Sequence, residues 1–101
     1  MPTALLIQAI RERKQVTARY EGHLREFCPH MVGLKGDEYR VLGYQFSGSS
    51  STGPVRGKWK CFVVTKLSHV NLREGPWHTD PAFMHESSQV CMDLVTAQVP
   101  V

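Results

Sequence analysis

The chain has 101 residues, a net charge of +3 and 42% hydrophobic residues. This length supports one hydrophobic core, and this composition excludes a disordered chain. The longest apolar runs are a few residues long, so we expect no membrane-spanning helix. The N-terminal stretch lacks a basic region of the signal-peptide kind. We therefore predict a single domain over residues 1–101, located in the cytoplasm and not associated with a membrane.

Charge is distributed unevenly along the chain. Residues 1–73 hold all 12 Lys and Arg residues, whereas residues 74–101 hold four of the nine acids and no Lys or Arg. One interpretation is an acidic tail that packs on a basic body, and the dispersed positions of the basic residues favour it. The other is an anionic partner, such as nucleic acid or a phosphate ligand.

The cysteines Cys28, Cys61 and Cys91 are far apart and odd in number. A disulfide framework of a secreted protein uses an even and denser set, so we predict three reduced thiols. Neither the cysteines nor the five histidines form a close pair such as C-x2-C. The spacing therefore predicts no metal site; His78, Asp80 and His85 only share a loop.

The first elements in chain order are a helix and a hairpin. Thr3 as a cap, apolar residues at helical spacing and a basic last turn predict an amphipathic helix over residues 4–13. Alternation then predicts a strand over residues 16–20. Gly22-His23 is typical of a two-residue hairpin turn, which leads into a second strand over residues 24–34.

This hairpin register has a consequence for one sheet face. It places Tyr20 opposite Arg25, at the rim of a face that otherwise carries the apolar residues Val16, Ala18 and Phe27. Such alternation indicates a sheet with one buried face.

The later part of the chain reads as short strands and loops. Further strands are predicted over residues 38–46, 58–64 and 68–72. Residues 47–57 are rich in Gly and Ser, which predicts a flexible loop, and residues 74–88 also read as mostly loop. Residues 90–99 are compatible with a last strand or with a helix. One helix followed by five or six short strands predicts a mostly β domain, either a small barrel or a strongly bent sheet.

The order of several short motifs resembles the WYL domain, a bacterial module with an SH3-like (Sm-like) β-barrel. The motifs are AIRERKQV at 9–16, YEG at 20–22, REFCPH at 25–30, YRVLGY at 39–44 and FVVTKL at 62–67. The resemblance covers residues 4–72. It implies a helix followed by a barrel of five or six strands over about residues 15–74, then a C-terminal loop and last strand over residues 75–101.

The chain departs from the family at two places. Tyr39, Arg40 and Val41 stand where the family has its eponymous Trp-Tyr-Leu, and Val63 stands where it usually has a basic residue. Family members commonly act as ligand-sensing regulators of transcription attached to a helix-turn-helix, and some are linked to phage defence. The resemblance implies a binding module for an anionic ligand, either nucleic acid or nucleotide-like. Because no helix-turn-helix is predicted here, a role in transcription implies a separate DNA-binding regulator chain.

The first group of candidate binding residues is expected at one rim of the barrel. It consists of Tyr20, Arg25, His30 and Tyr44, with Pro29 beside them. Arg25 would pair with an anion while the tyrosines stack on a base. The competing interpretation is that Arg25 packs on Tyr20 and that His30 and Tyr44 only stabilise the fold.

The second group is Trp59 and Lys60, with Arg56 and Lys58 next to them in sequence. A Trp between basic residues beside a Gly-Ser loop is typical of a binding site for single-stranded nucleic acid. The competing interpretation is favoured: Trp59 lies in the core or an interface, and Lys58 and Lys60 lie on the opposite, solvated face.

No catalytic residues and no cofactor are predicted. The chain has no nucleophile elbow, and its acids are scattered rather than paired. Cys28 and His30 are two residues apart on a strand, where side chains run parallel and need not converge. The alternative to a ligand-binding module is therefore a structural one, a homo-oligomer assembled through edge strands, with residues 90–99 as the natural strand to exchange.

Overall fold

The computed structural model describes residues 2–80 and 91–99. This part of the chain is mostly β, with one N-terminal helix and an open antiparallel sheet. The elements are α1 (Thr3–Glu12), β1 (Gln15–Tyr20), β2 (His23–Lys35), β3 (Glu38–Ser50), β4 (Gly53–Pro54), β5 (Lys58–Val63), a 3-10 turn (Val64–Lys66), β6 (Ser68–Arg73) and β7 (Leu94–Gln98). Within the described ranges, no helix is long and apolar enough to cross a membrane.

Helix α1 lies where the sequence predicts it, displaced by one residue. The expected cap is wrong: Pro2 occupies the N-cap position, and the buried Thr3 Oγ1 has no hydrogen-bond partner. The helix ends at Arg13, whose left-handed backbone (φ 51°) turns the chain towards β1. The buried residues Leu6 and Ile10 anchor the helix to the sheet.

The β1–β2 hairpin turns one residue earlier than predicted. Tyr20 pairs with His23, so the loop is Glu21-Gly22, and both loop residues have positive φ (53° and 78°). This is the type I′ geometry, whose twist matches that of the strands. The predicted register is therefore wrong by two residues. A shift of two preserves the side-chain alternation, so Arg25 still lies on the same face as Tyr20.

The predicted flexible loop over residues 47–57 is also wrong. Strand β3 continues to Ser50, and Gly53–Pro54 folds back on it as β4. The Gly and Ser residues permit a tight turn here rather than disorder. The turn is held from inside, because Val55 is 4% exposed and its N–H donates to the Gly48 carbonyl at 3.0 Å.

The strands follow the order β4-β3-β2-β1-β6, with β5 on β3 and β7 on β2. Strands β1 and β7 both pair with the edge of β2 that faces away from β3. Strand β1 pairs with residues 23–27 of β2, and β7 pairs with residues 31–34. Pro29, which has no N–H to donate, lies on β2 between these two stretches. Of the two alternatives left open for residues 90–99, the strand is observed over Leu94–Gln98, and none of the described residues 91–99 is helical.

Both faces of the sheet are covered. The inner face carries the main core beneath α1, which includes Val16, Phe27, Val32, Val41 and Phe62. The outer face carries a smaller cluster of Met31, Leu42, Cys91 and Met92, with Trp59 against it. Residues 91 and 92 therefore bring the C-terminal segment back over the outer face.

A disulfide joins Cys61 of β5 to Cys91. The prediction of three reduced thiols is wrong for this pair and is confirmed for Cys28, which is free and buried. The odd count was misleading, because one buried thiol leaves an even number for pairing. Disulfides are typical of compartments more oxidising than the cytoplasm, so this pair does not support the predicted location in the cytoplasm, which stays a prediction.

Candidate functional site

The six predicted binding residues lie on opposite faces of the sheet. One set lines a cavity on the inner side: Tyr20, Arg25 and Lys60. The other set packs together on the outer face: His30, Tyr44 and Trp59. Successive strand residues point to opposite faces, so neighbours such as Trp59 and Lys60 are separated by the sheet. The two predicted groups were based on proximity along the chain. They therefore do not correspond to the two observed sets, which lie on opposite faces of the sheet.

The inner cavity, called the Arg25 pocket from here on, has a volume of about 280 Å³. It lies between the β1–β2 turn, the turn after β3 and the second half of β5. Its lining residues are Tyr20, Glu21, Arg25, residues 50–52 and residues 60–62. Arg25 belongs to β2, and the alternation of β2 directs its side chain into this space.

Arg25 is 3% exposed, and an arginine keeps its charge even when it is buried. Its Nη1 donates to Gln45 Oε1 at 3.3 Å and its Nη2 to the Tyr20 carbonyl at 3.4 Å, both long for hydrogen bonds. Nη2 is 3.8 Å from a carboxylate oxygen of Glu21, whose side chain is 64% exposed. The buried Nε has no hydrogen-bond partner. The positive charge is therefore buried with incomplete compensation.

Two aromatic rings hold the guanidinium in place. Its central carbon lies 5.4 Å from the centre of the Tyr20 ring and 5.6 Å from that of Phe62, within cation–π range. The Tyr20 hydroxyl accepts a hydrogen bond from the Val63 N–H at 3.2 Å, which fixes its ring against β5. Gln45 presents its oxygen to Arg25 because its amide nitrogen donates to a β3 carbonyl at 3.0 Å. The direction of the guanidinium is thus set by the strands around it.

The remaining walls of the Arg25 pocket are polar. Ser50 and Thr52 share a hydroxyl–hydroxyl hydrogen bond of 3.0 Å, and the Thr52 N–H donates to Ser50 Oγ at 3.4 Å. Lys60 forms no ion pair with any residue that the structure describes. Two cations, one exposed carboxylate and a hydroxyl-bearing turn can bind a phosphate or carboxylate group by charge-assisted hydrogen bonds.

The outer set forms an aromatic cluster. The His30 ring centre lies 4.7 Å from that of Trp59 and 4.9 Å from that of Trp77, and Tyr44 meets Trp59 edge-on at 5.1 Å. His30 is 1% exposed, and Trp59 is partly buried. This arrangement places Trp59 where the packing interpretation expected it, and Lys60 lies on the other face of the sheet.

Both ring nitrogens of His30 are engaged. Nδ1 is 2.7 Å from the Cys28 carbonyl, which can only accept, so Nδ1 carries the proton and donates. Nε2 then accepts from the Thr79 hydroxyl at 2.8 Å. A histidine bonded in this way fixes the segment around Thr79 over the outer face and has no free nitrogen for a ligand.

The Cys28 sulfur and the ring nitrogens of His30 are each engaged with other groups. The sulfur accepts a hydrogen bond from the His78 N–H at 3.3 Å, and burial raises the pKa of the Cys28 thiol. A thiol with a raised pKa is a poor nucleophile at neutral pH. Across residues 2–80 and 91–99, no group of three metal-ligating side chains occurs; His85 lies outside these ranges.

Sequence reasoning missed several residues of the Arg25 pocket. Phe62 follows Lys60 by two residues on β5, so strand alternation alone would have placed both on one face. Glu21 was missed because the predicted turn, Gly22-His23, begins one residue late and leaves Glu21 outside the loop. Residues 50–52 carried no signal, because their composition matches that of an ordinary loop.

Comparisons with protein-family models, with curated proteins and with solved structures found no match to this chain. The resemblance to the WYL domain therefore rests on its motifs alone.

Proposed function

We propose that the chain is a non-enzymatic binding module whose Arg25 pocket takes the anionic group of a nucleic-acid or nucleotide-like ligand. One observation carries this proposal: the Arg25 guanidinium is 3% exposed, its Nε has no partner, and its one ion-pair contact among the described residues is 3.8 Å long. A buried cation in this condition is costly to the folded chain. A phosphate oxygen in the pocket would place a full negative charge beside the guanidinium.

The size and walls of the pocket favour a small anionic group. A volume of about 280 Å³ is at the lower end for ligand sites, which suits a phosphate with part of its attached sugar. Lys60 supplies a second cation at the wall, and the hydroxyls of residues 50–52 supply donors. These groups resemble those with which proteins commonly bind phosphate.

The barrel and the biological context belong to the same proposal. The order β5-β3-β2-β1-β6, with a 3-10 turn between β5 and β6, supports an SH3-like (Sm-like) barrel left open between its end strands. The resemblance to the WYL domain supports a role in bacterial regulation or defence in the cytoplasm, beside a separate DNA-binding chain.

The test is a titration of the purified chain with nucleoside monophosphates and with short single-stranded DNA and RNA, by calorimetry or fluorescence anisotropy. We expect Arg25→Met to lower the affinity about 10- to 100-fold, because hydrogen bonds to charged groups contribute about 1.5–3 kcal/mol. Lys60→Met should lower it less and flatten its dependence on salt.

Arg19→Met is the matched control. Arg19 is exposed on β1, and the alternation of β1 directs it away from Tyr20 and the Arg25 pocket. The variant removes the same charge and should leave affinity almost unchanged. The proposal fails if Arg25→Met binds all probes as the wild type does, or if Arg19→Met loses as much affinity.

A further inference from the structure

We propose that the chain forms a two-fold symmetric dimer in which β7 pairs antiparallel with β7 of a second copy. Strand β7 is paired on one side with β2 and has no second strand partner within the described residues. A strand paired on one side only leaves N–H and C=O groups for another strand. This inference is independent of the Arg25 pocket, which is built from β1, β2, β3 and β5.

Strand β7 exposes large apolar side chains to solvent. Leu94 is 62% exposed and Val95 is 43% exposed, and they are adjacent in a strand of five residues. Edge strands that avoid association carry charged residues, especially lysine, or a proline. The strand Leu94–Gln98 has none of these.

A basic groove of about 410 Å³ runs between β7 and the end of α1. Its lining residues are Ile10, Arg11, Arg13, Thr96, Ala97 and Gln98. No acid is among them. Arg11 forms no ion pair within residues 2–80 and 91–99, and Arg13 has its guanidinium 5.7 Å from the centre of the Trp77 ring. The groove therefore offers positive charge beside an open strand edge.

A second copy matches all of these features at once. Asp93 is exposed and immediately precedes β7. Antiparallel pairing of two β7 strands about Thr96 brings Asp93 of the second copy opposite Val99, next to the groove with Arg11 and Arg13. The same pairing sets Leu94 and Val95 beside the second β7 strand. Two-fold symmetry repeats each contact, so the surface is self-complementary in hydrogen bonding, apolar area and charge.

The first experiment is sedimentation velocity or light scattering of the full chain over a dilution series. We expect a dimer that dissociates on dilution, and loss of the dimer in Leu94→Lys and in Val95→Lys. Leu24→Lys is the matched control, because Leu24 is 43% exposed on β2 within its β1-paired stretch. It introduces the same charge and should remain dimeric. Circular dichroism establishes that each variant is folded.

The second experiment tests the charge contact. Arg11→Glu and Asp93→Arg should each lose the dimer, because each puts like charges together across the interface. An equimolar mixture should recover it, since every Arg of one variant then faces an acid of the other. The proposal is overturned by a monomeric wild type, including one that binds an acidic peptide instead. A dimer that survives both lysine variants, or a mixture no more dimeric than its components, overturns it too.

Discussion

Arg25 is the residue whose environment is hardest to explain by stability alone. Burial removes a full charge from water. In exchange, the guanidinium gains two long hydrogen bonds, two cation–π contacts and a distant, exposed carboxylate. Residues that serve a ligand often occupy such unfavourable positions in the free protein, because stability and function impose different demands. Its contribution to folding can therefore be separated from its contribution to binding.

We expect Arg25→Met to leave the free energy of unfolding unchanged or to raise it by about 1 kcal/mol, because Met fills similar volume without a buried charge. Arg73→Met is the comparison: Arg73 donates to Gln15 Oε1 at 3.0 Å and forms an ion pair with Glu26. That variant should lose about 0.5–1.5 kcal/mol for each hydrogen bond removed. Urea denaturation measures both. A loss above about 2 kcal/mol in Arg25→Met would make Arg25 a structural residue.

The sequence pattern predicts Arg25 as the cation of the pocket, but it does not predict the residues that surround Arg25. Strand alternation places Arg25 on the Tyr20 face in either hairpin register. The depth of Arg25 depends on Phe62 and on the turn at residues 50–52, which lie far along the chain. His30 and Trp59 were predicted as ligand contacts, but contacts across the sheet decide their packing, and no local pattern encodes those contacts.

At the scale of elements, the β1–β2 turn links hairpin stability to the Arg25 pocket. Glu21 has φ 53°, a conformation that Asn adopts more readily. We expect Glu21→Asn to raise the free energy of unfolding by about 0.5–1 kcal/mol, since left-handed backbone at other residues costs about 1 kcal/mol or more. It should also strengthen anion binding, because it removes the carboxylate 3.8 Å from Arg25.

His69→Asn separates these two effects. His69 also has positive φ, at 52°, and lies exposed on β6, outside the residues that line the Arg25 pocket. Its substitution should stabilise the fold without changing anion affinity. Thermal unfolding and the same ligand titration provide the two measurements. If Glu21→Asn leaves the anion affinity unchanged, the Glu21 carboxylate does not influence binding in the Arg25 pocket.

The elements themselves were predicted well where periodicity is strong. Helix α1, β1, β5 and β6 lie within a residue or two of their predicted positions. The β3–β4 hairpin was missed because Ser and Gly serve tight turns and flexible loops equally well. The register of the first hairpin was missed because Glu21-Gly22 and Gly22-His23 both satisfy a two-residue loop.

For the molecule as a whole, the disulfide ties the C-terminal segment to the outer face across a separation of 30 residues. We expect its reduction to lower the free energy of unfolding by about 2–4 kcal/mol, mainly through greater freedom of the unfolded chain. Thermal unfolding with and without dithiothreitol measures this loss. The double variant Cys61→Ala/Cys91→Ala should be insensitive to the reductant, while Cys28 stays a free thiol throughout. Identical unfolding of the oxidised and reduced wild type would contradict the expectation.

Coverage of both faces is the feature of the whole molecule that the sequence signalled only weakly. Leu42, Tyr44 and Trp59 are large and apolar on the face opposite the core, a pattern typical of strands buried on both sides. Their cover comes from residues near Trp77 and from residues 91 and 92, far from them along the chain. This cover packs His30, Tyr44 and Trp59 into the aromatic cluster, and the sheet separates that cluster from the Arg25 pocket.

The aromatic cluster also determines how the protein can be observed. The chain has two tryptophans, and both lie against His30. Trp77 also packs against the main core, whereas Trp59 packs against the smaller cluster on the outer face. Intrinsic indole emission is therefore a local signal of how closely the C-terminal segment covers that face. The Arg25 pocket contains no tryptophan, so an anion can fill it without contacting either fluorophore. Unfolding of the cover and occupancy of the pocket can be followed in one cuvette as separate signals, the first by emission and the second by a labelled ligand.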